Sequence, residues 1–210
     1  MKTDYQIQKV NYQNQNIFFI SDLHLGHHNV LKFDSRPFKD VQEMHVELIK
    51  NWNSVVGDDD IVYNLGDLSF GNDELDKWFL YSVKGRIHHI MGNHDALKSI
   101  VKLDRIEKVY EYGTEITVED ELSDDRSGKN HIIMSHYPIL SWNRAHHGSW
   151  HLHGHCHGSL VKTNQDYYKR RVMDVGCNMI NYTPISYQEV RDTMLKRKVS
   201  KVDSHHDKNN

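Results

Sequence analysis

Ile17-Phe18-Phe19-Ile20-Ser21-Asp22-Leu23-His24 is a run of four apolar residues followed at once by an aspartate and a histidine. A run so short and so apolar predicts a buried strand, and the polar residues after it mark the strand's carboxyl end. The same format returns down the chain: Ile61 to Leu65 precedes Gly66-Asp67, and Ile87 to Met91 precedes Gly92-Asn93-His94-Asp95. Helical patterns separate these runs. Val41, Met44, Leu48, Trp52 and Val55 share one face, with Asp40 as N-cap and Gly57 as stop. A shorter helix runs from Asn72 to Val83, closed by Lys84-Gly85. Strand, helix, strand, helix, strand predicts an α/β domain whose reactive residues stand in loops just past the strands' carboxyl ends.

The second half reads as richer in strands: Glu115 to Val118, Ile132 to Ser135, Trp150 to His153 and Val172 to Val175, with a charged hairpin loop from Glu119 to Lys129. Ser186 caps a final amphipathic helix reaching Lys196. Trp52, Trp78 and Phe79 fall on helical apolar faces and are expected in the core. At 210 residues, with no repeat and no linker, the chain is expected to form one domain over residues 1–198, followed by a polar, disordered tail over 199–210.

Composition narrows the partners. No run approaches the roughly 18 apolar residues of a membrane span, and the polar start from Met1 to Asn16 has no signal-peptide core. Cys156 and Cys177 form no CxxC pair, so a reducing, cytoplasmic setting is expected and thiolate zinc is not. A net charge of -3 supplies no broad basic track for duplex nucleic acid. Lys169-Arg170-Arg171 and Lys196-Arg197-Lys198 read as solvated basic runs.

Histidine is the unusual count, 17 in all, and its placement carries the chemistry. In order, the strand-end donors are Asp22-x-His24, Gly66-Asp67, Gly92-Asn93-His94-Asp95, Ser135-His136 and Gly154-His155-Cys156-His157. Asp22 and His24 lie two apart, as do His155 and His157, so in extended chain each pair points to one face. Gly66, Gly92 and Gly154 each precede a donor, where backbone lacking Cβ permits a sharp turn and a close approach. Mixed nitrogen and oxygen donors without thiolate suit Mn, Fe, Zn or Ni better than Ca.

These five ordered blocks resemble the calcineurin-like metallophosphoesterase superfamily, and Asp174-Val175-Gly176 with Pro184-Ile185-Ser186 is similar to the carboxyl end of its small prokaryotic and phage members. The resemblance spans Ile17 to about Lys196. It implies a four-layer α/β sandwich around two mixed β-sheets. It implies that Asp22, His24, Asp67 and His157 hold one divalent ion and that Asp67, Asn93, His136 and His155 hold a second, with Asp67 bridging. His94 resembles the family's acid for the leaving group, and Asp95 the residue that orients it. The expected activity is hydrolysis of a phosphodiester, whether a nucleotide, a cyclic nucleotide or a nucleic-acid end, by a metal-bridging hydroxide, with Mn the favoured ion. The alternatives are a phosphomonoesterase and a scaffold that keeps the fold without catalysis.

Beyond the donor set, His27, His28 and Arg36 are candidates to touch substrate, as are Asn143 and Arg144 with His146 and His147 on a loop between two donor motifs. Ordinary surface roles suit each as well. His151 and His153 extend the alternation into His155 and His157, but Gly154 interrupts the strand, so core histidines are expected there rather than a third metal site. Cys156 is expected to point away from its neighbours into the core.

Overall fold

All four side chains of Ile17–Ile20 are buried, and they divide between two cores. Phe18 and Ile20 face one, Ile17 and Phe19 the other, as the two-residue period of a strand requires. The computed structural model describes residues 8–11 and 15–199. In chain order the elements are β1 (Gln8–Asn11), β2 (Ile17–Ile20), α1 (Val30–Phe33), α2 (Val41–Val55), β3 (Ile61–Asn64), α3 (Asp73–Ser82), β4 (Arg86–Ile90), α4 (Leu97–Ile100) and β5 (Ile106–Tyr110). They continue with β6 (Thr114–Glu119), β7 (Lys129–Met134), β8 (Trp150–His153), α5 (Ser159–Thr163), α6 (Gln165–Tyr168), β9 (Val172–Asp174), β10 (Ile185–Ser186) and α7 (Tyr187–Met194).

The strands form two mixed five-stranded sheets, one in the order β10-β2-β3-β4-β5 and one in the order β1-β6-β7-β8-β9. In the first, β2 to β5 are parallel and β10 is antiparallel to β2. In the second, only β6 and β7 are antiparallel. Met44, Leu48 and Trp52 of α2 and Phe79 and Leu80 of α3 cover the outer face of the first sheet. Tyr63, Ile116, Ile132, Met134, Trp150 and Leu152 fill the space between the sheets, joined by Val190 and Met194 of α7. Trp142, Tyr167 and Val172 form a smaller core outside the second sheet. The structure is thus mixed α/β, and among the described residues no helix is long and apolar enough to cross a membrane.

Local chemistry sets the helix ends where the sequence places them. Asp40 accepts a hydrogen bond from Glu43 N at 2.9 Å, Asn72 accepts from Leu75 N at 3.1 Å, and Ser186 with Glu189 forms a capping box. Three strands escape the sequence reading. β1 lies in the polar amino-terminal stretch because an edge strand needs only one inward side chain, here Val10. β5 is another edge strand of mixed exposure, and β10 is two residues long.

Other expectations need correction. Trp78 is 47% exposed, because one helical step from buried Phe79 carries it off the apolar face to the flank near His45. The first basic run is solvated only at Lys169: Arg170 lies over the Trp142 ring at 4.4 Å and donates to Leu140 O, while Arg171 pairs with Asp124 and donates to Gly148 O. Arg197 of the second run donates to Val172 O. The expected disordered tail lies outside the described residues from position 200 onward.

A buried polar network ties α7 to the second sheet. Asn130 Nδ2 donates to the Tyr187 hydroxyl at 2.6 Å, which donates to Asp120 Oδ2 at 2.8 Å, and Arg191 donates to the same oxygen at 3.1 Å. Burial opposes ionisation of Asp120, but the Leu122 N–H, Tyr187 and Arg191 together hold its carboxyl below the usual range. That depressed pKa makes its contribution present above about pH 4 and lost as pH falls through the folded value. Tyr187→Phe is expected to cost about 1–3 kcal/mol in urea unfolding at pH 7, and the difference from wild type should shrink on acidification. An unchanged urea midpoint would remove the network from that role.

Candidate metal centre

The donors leave the carboxyl ends of strands in both sheets, and the backbone there is left-handed. Asp22 (φ 58), His24 (φ 52), Asp67 (φ 55), His155 (φ 67) and His157 (φ 47) all adopt positive φ, at roughly 1–2 kcal/mol each. This corrects the expectation that each pair shares a face through continued extended chain. The loops are held by one another: Asp22 N donates to Gly66 O and His24 N to Asp67 O, each at 3.0 Å. His155 N donates to the Asp22 carboxylate at 3.0 Å, fastening one sheet's loop to the other's. The glycines are required by contact, since a methyl at Gly92 would overlap Asp67, and one at Gly154 would overlap Ser21 Oγ and the Asp22 carboxylate.

Seven side chains converge in the space these loops enclose. Asp67 Oδ2 lies 3.6 Å from His24 Nε2 on one side and 3.4 Å from His136 Nε2 on the other. Around the first side, His157 Nε2 lies 3.1 Å from His24 Nε2 and 3.7 Å from Asp22 Oδ1. Around the second, Asn93 Oδ1 lies 2.9 Å from His136 Nε2 and 2.8 Å from His155 Nδ1. Ligand atoms of Asp22, His24 and His157 lie within 4.8 Å of one another, as do those of Asp22, Asp67 and His136 and those of His24, Asp67 and His94, so these groups can hold a metal ion.

The donor set also passes a chemical test of fit. His136 Nδ1 faces Leu65 O at 2.8 Å and His157 Nδ1 faces Asp34 Oδ2 at 2.6 Å, and each acceptor requires the proton on that nitrogen. The opposite nitrogen of each neutral ring then turns a lone pair inward, towards carboxylate and amide oxygens that also only accept. Such a pocket selects positive charge.

Titration follows the same logic. Burial pushes Asp22 up to about 7 and His24 down to about 3. Against burial, His136 and the His94 N–H hold Asp67 at about 2. Burial opposes protonation of His136 and His157, yet the hydrogen bonds they donate to Asp67 and Asp34 respectively raise both.

Two expected roles change. Asp95 does not orient the His94 ring. Its carboxylate accepts from Asp67 N at 2.9 Å, Leu68 N at 3.0 Å and Gly92 N at 2.8 Å, and contacts His89 Nε2 at 2.8 Å, so it sets the shape of two donor loops. Arg36 is buried and donates to Asp22 O at 2.8 Å, Leu23 O at 2.9 Å and Asp34 Oδ2 at 3.0 Å, which leaves its guanidinium committed to the first donor loop rather than open to a phosphate.

The side chains of Asn143 and Arg144 are each held by an acidic partner. Asn143 donates to Glu115 of β6 at 3.0 Å, and Arg144 pairs with Asp125, in the hairpin loop between β6 and β7, at 3.8 Å. His146 and His147 share this turn, their rings 4.0 Å apart. His27 stays beside the cluster, its ring 5.6 Å from that of His24, while His28 is exposed. His94 is exposed at the rim, its ring 5.3 Å from His24 and 4.9 Å from Phe70.

His151 and His153 are fully buried and hydrogen-bonded, His151 to Ile133 O and Ile139 N, His153 to Gly154 O and the Tyr168 hydroxyl. Cys156 is half-buried instead of in the core, because the left-handed turns on either side keep it near the surface.

Asp34, His45, His89 and Phe70 are the residues that sequence reasoning missed. His45 accepts from Gly26 N at 3.0 Å, steadying the loop after His24 from α2. None carries a local signal; Asp34 meets His157 across 123 positions of sequence. Asp34→Asn removes the anionic acceptor while keeping the shape, and is expected to weaken Mn binding about 10–100-fold by calorimetric titration. Unaltered affinity would show that His157 needs no such partner.

No family model matches the chain. An uncharacterized protein of Methanocaldococcus jannaschii, MJ1445, is 35% identical over 190 residues, spanning 87% of this chain and 93% of that protein. The gene 66 protein of Mycobacterium phage L5 is 29% identical over 190 residues, and that of phage D29 is 30% identical over 171, covering 70% of this chain and 81% of its own. The crystal structure of a protein of unknown function from Aquifex aeolicus, AQ665, superposes with a TM-score of 0.64 at 22% identity, over 85% of this chain and 99% of that one, a likeness of fold. At this identity and coverage, the chain belongs to one protein family with MJ1445 and the phage D29 gene 66 protein.

Proposed function

We propose that the chain is a binuclear metal-dependent phosphoesterase of the calcineurin-like kind, with phosphodiesters as its substrates. The observation that carries this reading is the position of Asp67, whose one carboxylate lies between His24 on one side and His136 on the other. The layering of α2 and α3, two mixed sheets and an outer core agrees with the four-layer sandwich of that superfamily.

Two divalent transition ions, with Mn favoured, would be held by Asp22, His24, Asp67 and His157 and by Asp67, Asn93, His136 and His155, and would supply an acidified water and charge to offset phosphoryl oxygens. The chain's own residues do the rest. Leu65 O and Asp34 fix the ring orientation of His136 and His157. The Asp22 carboxylate, bound to His155 N, keeps the two sheets' loops at a fixed separation. His94 offers a ring at the solvent rim that touches His24 without taking a place among the seven donors, and from there it delivers a proton to the leaving oxygen. Filled donor positions weigh against a scaffold that has lost catalysis.

With Mn, bis-p-nitrophenyl phosphate should turn over faster than p-nitrophenyl phosphate, and EDTA should abolish both. Faster monoester turnover would reverse the substrate class. Absence of turnover with Mn bound would leave the scaffold reading. His94→Asn should retain Mn yet lose about 10²–10⁴-fold in turnover of a diester with an alkoxide leaving group; near-normal turnover would remove His94 as the proton donor.

A further inference from the structure

Phe70 stands beside the exposed ring of His94 at the rim of the cluster. Its ring lies 4.9 Å from that of His94 and 4.5 Å from that of His27, and it is 54% exposed. Beside it opens a cleft of about 600 Å³ lined by Leu25, Gly26, Phe70 and Gly71 and, from the start of α3, by Asp73 and Glu74. Leu25 directly follows the donor His24, so the cleft begins one residue from the cluster. Its lining includes no lysine or arginine, and Asp73 and Glu74 are both exposed.

Charge decides what fits. A second phosphate beyond the reacting one would meet two carboxylates and no cation, a repulsive placement. An uncharged planar group would meet an aromatic wall and gain from the contact. We propose that this cleft receives the leaving half of the substrate as an uncharged planar alcohol, aryl or nucleoside-like and bearing no further phosphate, with Phe70 as its wall and Asp73 and Glu74 excluding polyanions. This rests on the phosphoesterase reading and adds to it a substrate class and the residues that select it. His94 would then protonate the leaving oxygen from beside the ring that holds the departing group.

Phosphonates that cannot be hydrolysed separate the two claims. Calorimetric titration of the Mn-loaded protein is expected to show phenylphosphonate binding about fivefold tighter than methylphosphonate, and para-benzenediphosphonate about threefold weaker than phenylphosphonate. Phe70→Ala should bring the phenyl-to-methyl ratio close to one, and Phe70→Tyr should restore it. Asp73→Asn combined with Glu74→Gln should remove the discrimination against the diphosphonate. Equal binding of phenyl and methyl phosphonates, or failure of all three to bind, overturns the assignment. Tighter binding of the diphosphonate overturns it in favour of a polyphosphate or nucleic-acid chain. If the phosphonates rank as expected and no ester is hydrolysed, the cleft stands and the phosphoesterase reading falls.

Discussion

Atoms that repel one another are forced together between the ends of two sheets. Ring lone pairs of His136 and His157, the amide oxygen of Asn93 and the carboxylates of Asp22 and Asp67 crowd one small volume with few protons of their own. Lone pairs at such distances are tolerable only where positive charge sits among them, or where the surrounding protein will not let them part. Both conditions bear on this site. The acidic groups beside them shift His136 and His157 towards positive charge, and the chain around the cluster is arranged as a restraint.

That restraint is built in tiers. Asp95 accepts three backbone N–H groups from two loops, Arg36 gathers the carbonyls of Asp22 and Leu23, and Asp34 links Arg36 to His157. Each of these polar side chains is buried and would be costly alone. Together they satisfy one another. The hydrogen bond from His155 N to Asp22 is the join between sheets, and Ser21 strengthens it by bridging to Gly176 in the parallel sense.

The order of strands and helices in the first half could be read in advance because short apolar runs alternate with one-sided helical patterns, each ended by a cap that makes its hydrogen bond. The convergence of the seven side chains was legible for the same reason, since each stands just past a strand. What could not be read is whatever depends on partners distant in sequence. Arg36 looks like any loop arginine until the fold brings Asp22 O to it, and Asp95, adjacent to His94 in sequence, turns instead to backbone of another loop. β1 hid because its pairing with β6 asks for hydrogen bonds and one apolar side chain, neither of which leaves a periodic trace. Trp78 misled because an apolar residue one step off a helical face is indistinguishable, by composition, from one on it.

The handedness of the backbone at the donors restricts their vocabulary. Left-handed φ is tolerated by glycine and, among residues with side chains, most readily by asparagine, aspartate and histidine. Five of the seven positions have that geometry, and each is an aspartate or a histidine. Glutamate or cysteine, common donors in other proteins, would meet a conformational penalty here before any question of affinity arose. Mainchain geometry therefore filters which amino acids can occupy these corners, and the hardness of the resulting donor set follows from stereochemistry as much as from preference for any particular element.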